Sequence, residues 1–117
     1  YQNAISFYPV PVITINKNIS SIEELSKEIS IIFDFIMLDF PFFYNNLSEL
    51  FIRSDEWVFF SDDRTYIYAN SNKLLKQLNI LKNFQKTVYP IKNLDDYKYI
   101  DLRYTDQVIV REKNRKI

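Results

Sequence analysis

The chain contains no glycine among its 117 residues. Glycine takes left-handed backbone angles without steric penalty, so the tight turns here fall to aspartate, asparagine, serine and threonine. The same absence removes the standard phosphate loop, EF-hand calcium loop and nucleophile elbow, each of which needs glycine at fixed positions. Cysteine and histidine are missing too. That removes Cys/His zinc sites, thiol nucleophiles and the commonest general base, so neither a cofactor nor a metal site is expected. Without cysteine there are no disulfides, and the redox compartment is unmarked. Charges balance, with Lys+Arg 15 and Asp+Glu 15. A neutral domain lacks the basic footprint of general nucleic-acid binding.

The length fits a single domain over 1–117, which can bury roughly two thirds of its unfolded surface. Apolar residues at 47% and charged residues at 26% argue against disorder. Nine Tyr and ten Phe make the chain aromatic-rich, which suggests an AT-rich coding sequence as much as a functional surface. The chain starts at Tyr1 and carries neither a signal peptide nor an apolar run long enough to span a bilayer. It therefore reads as part of a longer protein with its targeting segment upstream.

Tyr1 to Asn18 reads as extended, with strand character at Val12-Ile13-Thr14-Ile15. Proline cannot donate to a ladder, so this strand is expected at an edge or starting after Pro11. A helix is predicted over 21–39, capped by Ser20 or Ser21 with Glu23 or Glu24 closing a capping box. Ile22, Leu25, Ile29, Ile32, Phe33 and Ile36 form its apolar stripe. Pro41 ends it, and Phe40, Phe42, Phe43 and Tyr44 form an aromatic connector read as core packing. Three antiparallel strands follow at Leu47–Arg53, Glu56–Ser61 and Arg64–Asn70, with Asp62-Asp63 turning between the last two. Tyr66 and Tyr68 share a face, as does an aromatic ladder used for cross-strand packing. A second helix is predicted over 72–88, capped by Asn70 or Ser71, with Leu74, Leu75, Leu78, Leu81, Phe84 and Val88 buried. Its lysines, Lys73, Lys76, Lys82 and Lys86, read as a solvated face. The expected fold is α+β: a mostly antiparallel sheet with both helices on one face.

Tyr97 to Glu112 reads as two strands. Ile100, Leu102 and Tyr104 alternate with Tyr99, Asp101 and Arg103, giving one apolar and one polar face. Thr105-Asp106 sits at two-residue hairpin length, and Asp106 must take the strained backbone angles. The last strand, Gln107 to Arg111, is followed by a basic tail and is expected at a sheet edge, where a partner can add a strand. An Arg beside a Tyr, as at Arg103-Tyr104, suits an interface hot spot, although Asp101 and Arg103 share a face and can pair with each other.

The run YIDLRY, with RSDEWVFFSDDRTYIYANSNKLLKQLNILKNF upstream, resembles the end of the periplasmic β domain of the bacterial cell-division FtsQ/DivIB family. The resemblance spans about Leu47 to Arg111. Where that family usually has glycine, before the second helix and in the final turn, this chain has Ala69-Asn70-Ser71 and Thr105-Asp106. The resemblance implies the extracytoplasmic (periplasmic) domain of a single-pass inner-membrane divisome protein. It implies partners of the FtsB/DivIC and FtsL coiled-coil type, bound by strand addition at the last strand to regulate septal wall synthesis. Carried over by position, the partner-binding residues are Arg103, Tyr104, Gln107, Val108, Ile109, Val110 and Arg111. Two other readings stand beside it. One is a small extracytoplasmic hydrolase or carbohydrate-processing enzyme using Asp62/Asp63 or Asp95/Asp96. The other is a scaffold domain whose last strand is covered by its own chain.

Overall fold

In the computed structural model residues 11–18 and 20–114 are described. Of the extended segment expected over Tyr1–Asn18, residues 1–10 lie outside them. Strand β1 (Val12–Ile15) starts just after Pro11. Helix α1 (Ile22–Asp39) follows, then the short α2 (Pro41–Asn45), then β2 (Leu47–Ile52), β3 (Glu56–Ser61) and β4 (Tyr66–Asn70). Helix α3 (Leu74–Val88) and a 3-10 turn (Leu94–Asp96) lead to β5 (Tyr97–Asp101) and β6 (Ile109–Glu112).

The six strands form one sheet in sequence order, β1 to β6. Pairs β1–β2 and β4–β5 are parallel, and the other three are antiparallel. The expected mostly antiparallel sheet is thus a mixed one. A parallel pair needs a crossover, and α1 and α3 supply the two. Because β2, β3 and β4 alternate in direction, β4 runs the same way as β2. Both crossovers therefore step the same way between like-directed strands. Right-handed connection then requires both helices to lie over the same face of the sheet.

The core follows from that constraint. Leu50, Ile52, Trp57, Phe59, Ile67, Ala69 and Ile100 from the sheet form one cluster with Leu25, Ile32 and Ile36 of α1 and Leu74, Leu78 and Leu81 of α3. In α1, Ser21 Oγ accepts from the Glu24 N–H at 3.2 Å and caps the first turn, as its position suggested. Ile22, placed on the apolar stripe, is exposed, and so is Leu75 of α3. The aromatic connector forms α2, where Phe40 and Phe43 are buried and stacked with ring centroids 5.2 Å apart.

The second helix starts later than expected. Its N-cap is Lys73, with no side-chain cap. Asn70 and Ser71 are held elsewhere: the Asn70 N–H donates to the buried Gln77 Oε1 at 2.7 Å, its Nδ2 donates to the Arg103 carbonyl at 3.1 Å, and the Ser71 N–H donates to the Asp55 carbonyl. The strands expected to reach Arg53 and to start at Arg64 stop at Ile52 and start at Tyr66. Arg64 has φ 67, a left-handed angle that breaks strand geometry.

Burial separates two classes of leucine and isoleucine. Leu81→Ala, at a fully buried position, is expected to lower unfolding stability by about 2–5 kcal/mol. Ile91→Ala, at a position 86% exposed, is expected to stay within about 0.5 kcal/mol of the parent. Urea denaturation followed by circular dichroism measures both, and equal effects would contradict this core.

Candidate partner-binding edge

Strand β6 is the last of the sheet, and no strand among the described residues pairs with its outer side. Two hydrogen bonds fix which of its backbone groups face outward. The Leu102 N–H donates to the Tyr68 carbonyl at 2.9 Å, so Ile100 and Leu102 bond β4 while Tyr99 and Asp101 face β6. Ile109 and Arg111 lie opposite Asp101 and Tyr99, so their N–H and C=O groups point inward. The Lys113 N–H continues this alternation, donating to the Asp96 carbonyl at 3.0 Å. The backbone groups of Val110 and Glu112 are therefore the ones turned to the open edge.

The expected two-residue hairpin does not form. Asp101 pairs with Ile109, leaving residues 102–108 as the connection and shifting the register by one from the Tyr104–Gln107 turn. Within that connection the Gln107 N–H still approaches the Tyr104 carbonyl at 3.4 Å, and Asp106 takes φ 59 as the missing glycine required. Gln107 and Val108, expected in the strand, precede it, and Glu112 joins it. The cause lies at Arg103. The alternation of β5 would turn its backbone groups toward β6, but its N–H donates to Asp101 Oδ1 at 3.0 Å and its carbonyl accepts from Asn70 Nδ2, so neither is left for the β6 ladder.

Arg103 is tied further by its side chain. Its Nε donates to Asp101 Oδ1 at 2.9 Å, its Nη2 to Asp101 Oδ2 at 2.7 Å and its Nη1 to Glu56 Oε2 at 2.7 Å. The guanidinium also stands 4.9 Å from the Tyr68 ring centre. Burial alone would raise the Asp101 carboxyl. The hydrogen bonds from the Arg103 side chain and N–H, with its positive charge, instead hold it below the ordinary carboxylate value. The bonds to Asp101 likewise raise Arg103, reinforced by Glu56. The pairing of Asp101 with Arg103 foreseen from their shared face is thus present, and Glu56 is the partner that sequence reading missed. Glu56, Tyr68 and the Asp101–Arg103 pair are far apart in sequence and meet here because β3, β4 and β5 are neighbours. Tyr104 extends beyond this network and is 52% exposed, and Ile109 and Arg111 are exposed on the strand itself. Arg111 makes no ion pair among the described residues.

The face away from the helices carries an aromatic row: Phe60 to Tyr66 at 4.7 Å, Tyr66 to Tyr68 at 6.3 Å and Tyr68 to Tyr99 at 6.5 Å between ring centres. These rings span β3, β4 and β5 and pack across strands, as the shared face of Tyr66 and Tyr68 implied.

The acidic pairs regroup. One member of each, Asp63 and Asp95, share a hydrogen bond, because the β3–β4 turn and the 3-10 turn meet beside the end of β6. Lys113 Nζ donates to the Asp63 carbonyl and closes the group. Burial, then the hydrogen bond and charge of Asp63, push the Asp95 carboxyl up to about 6, against the pull of Lys113. Asp62 is exposed, and Asp96 caps the 3-10 turn by accepting from the Asn93 N–H at 2.8 Å. The cavity beside Asp95 measures about 10 Å³ and is walled by Phe42, Phe43, Thr65 and Leu94, among others. That is room for one water rather than for a sugar. Among the described residues, no three His, Cys, Asp or Glu side chains are grouped to hold a metal ion, and no helix is long and apolar enough to cross a membrane.

No protein-family model matches the chain, and no curated protein matches it significantly.

Two variants test these networks. Arg103→Ala strands the buried Asp101 carboxylate and is expected to cost about 2–4 kcal/mol in urea denaturation. Asp95 is raised in the folded state, so its contribution is complete below its ordinary value of 3.8 and is lost as pH rises through about 6. Asp95→Asn keeps a donor toward Asp63 without the charge. Its thermal midpoint should exceed the parent's at pH 7.5 and converge with it near pH 4. A constant difference across that range would show that Asp95 is not raised.

Proposed function

We propose that this chain is the extracytoplasmic β domain of an FtsQ/DivIB-like divisome protein, and that it acts by binding rather than by catalysis. The partner class is the FtsB/DivIC-like and FtsL-like coiled-coil protein, whose segment adds a strand to β6 and so links the domain to regulation of septal wall synthesis. The observation that carries the reading is the terminal position of β6, with the backbone groups of Val110 and Glu112 turned outward. Backbone pairing there supplies affinity, and alternating side chains supply selectivity. The resemblance of YIDLRY and its upstream elements supplies the family. The α+β architecture of six strands and two main helices is compatible with it.

Under this reading the residues expected to bind have different roles. Arg103 is already engaged with Asp101 and Glu56, so its role under this reading is to hold the end of β5 rather than to meet the partner. Tyr104, Ile109 and Arg111 remain available beside the edge, and Val110 and Glu112 present the backbone. Gln107 and Val108 lie in the approach to the strand.

Proline scanning separates binding from folding. Val110→Pro removes an outward donor and is expected to abolish binding to an FtsB/DivIC-like peptide while the circular dichroism spectrum is kept. Ile109→Pro removes an inward donor of the β5–β6 ladder and is expected to lower stability. Calorimetry measures the binding. A folded Val110→Pro variant that binds like the parent would remove β6 as the docking strand.

A further inference from the structure

The helical face of the domain carries unused charge in an ordered arrangement. Helix α1 bears Glu23, Glu24, Glu28, Asp34 and Asp39 against a single Lys27. Helix α3 and its N-cap bear Lys73, Lys76, Lys82 and Lys86 with no acidic residue. None of the four ion pairs among the described residues uses any of these groups. Charge on helix surfaces is commonly mixed, and here it is split between two neighbouring helices.

An apolar stripe accompanies the charge. Ile31 and Leu38, seven residues apart, lie on the side of α1 turned away from the buried Leu25, Ile32 and Ile36, and they are 56% and 81% exposed. Leu75 of α3, across a cleft from Ile31, is exposed too. The level of the two helices is set by the cleft of about 390 Å³ between them, which brings Glu28 and Ile31 alongside Lys73, Leu75 and Lys76. Since both helices run opposite to like-directed strands, they are parallel to each other.

We propose that this face is a self-association surface whose occupant is a second copy of the chain, with α1 of each copy laid over α3 of the other. A two-fold axis along the helix direction, between the two layers, produces this arrangement and preserves the level of each residue. Glu28 and Ile31 of one copy then meet Lys73, Leu75 and Lys76 of the other. Asp34 and Leu38, further along, approach Lys82 and Lys86. An isologous contact of this kind makes each complementary pairing twice. A contact between two α1 helices would bury the same leucine but bring acidic groups together, which disfavours it. The surface lies opposite the aromatic face of the sheet and is independent of the edge at β6.

Sedimentation equilibrium on the 117-residue chain tests this. A monomer–dimer equilibrium is expected at about 0.1 M salt, with a dissociation constant about tenfold weaker or more at about 1 M, where the Debye length falls from about 10 Å to about 3 Å. Lys76→Glu with Lys86→Glu should give a monomer, as should Glu28→Lys with Asp34→Lys. Mixing the two variants should restore a heterodimer, which also shows that both remain folded. Val110→Pro should dimerise like the parent. A chain that is monomeric at every concentration at about 0.1 M salt overturns the proposal. So does a dimer that survives both charge reversals, or one abolished by Val110→Pro alone.

Discussion

The handedness of two strand–helix–strand crossovers decides most of this molecule. Both parallel pairs, β1–β2 and β4–β5, step in the same direction along the sheet. Right-handed connections therefore stack α1 and α3 on one side and, among the described residues, leave the other side without a helix. One core results, with Leu50, Ile52, Trp57 and Phe59 at its centre. On the bare side the aromatic row from Phe60 to Tyr99 packs on itself, strand to strand. The step from β4 to β5 also carries the last hairpin outward, so that β6 terminates the sheet. The exposed edge is a consequence of that topology, not a feature of β6's own sequence.

Local pattern was legible and pairing direction was not. Alternation at Ile100 and Leu102 marked the buried face of β5, and both are buried. Three- and four-residue spacing marked Leu25, Ile32, Ile36, Leu74, Leu78 and Leu81, all of which reach the core. Of the two serines offered as its cap, Ser21 is the one that caps α1. A strand buried on one face reads alike whether its neighbour is parallel or antiparallel, so the mixed sheet was invisible. The caps of α3 failed for a different reason. Asn70 has the right chemistry for a cap, but Gln77 and the Arg103 carbonyl hold it at the end of β4. Tertiary partners outweighed a local preference.

The candidate site shows the same division. That Asp101 and Arg103 share a face could be read from their spacing, and the two are joined by two side-chain hydrogen bonds. That Glu56 completes the group could not be read, because it depends on β3 and β5 flanking β4. The acidic pairs behaved likewise. Asp62-Asp63 looked like turn residues, and both that pair and Asp95-Asp96 lie in turns. Only the fold unites Asp63 with Asp95, where burial first and then the contact with Asp63 raise the Asp95 carboxyl.

A chain without glycine has to place its left-handed residues where the loss is tolerable. Arg64 and Asp106 take positive φ among the described residues, each at a strain of about 1–2 kcal/mol. Each sits where hydrogen bonds define the turn around it. At the β3–β4 turn the Arg64 N–H donates to the Ser61 carbonyl, the Ser61 N–H to the Thr65 carbonyl and the Thr65 N–H to Ser61 Oγ. Thr65 Oγ1 in turn donates to the Tyr97 carbonyl at 2.8 Å, anchoring that turn to the start of β5. The connection around Asp106 is anchored less firmly, with one long contact at Tyr104–Gln107. The firmness of Arg103 just before it is what allows this looseness. Because β5 is fixed to β3 and β4 by the Arg103 network, the chain can cross residues 104–107 without close support and still deliver β6 in register. The resulting edge is short and bordered by Arg111, Glu112 and Lys113, features that discourage indiscriminate pairing while leaving room for a matched strand.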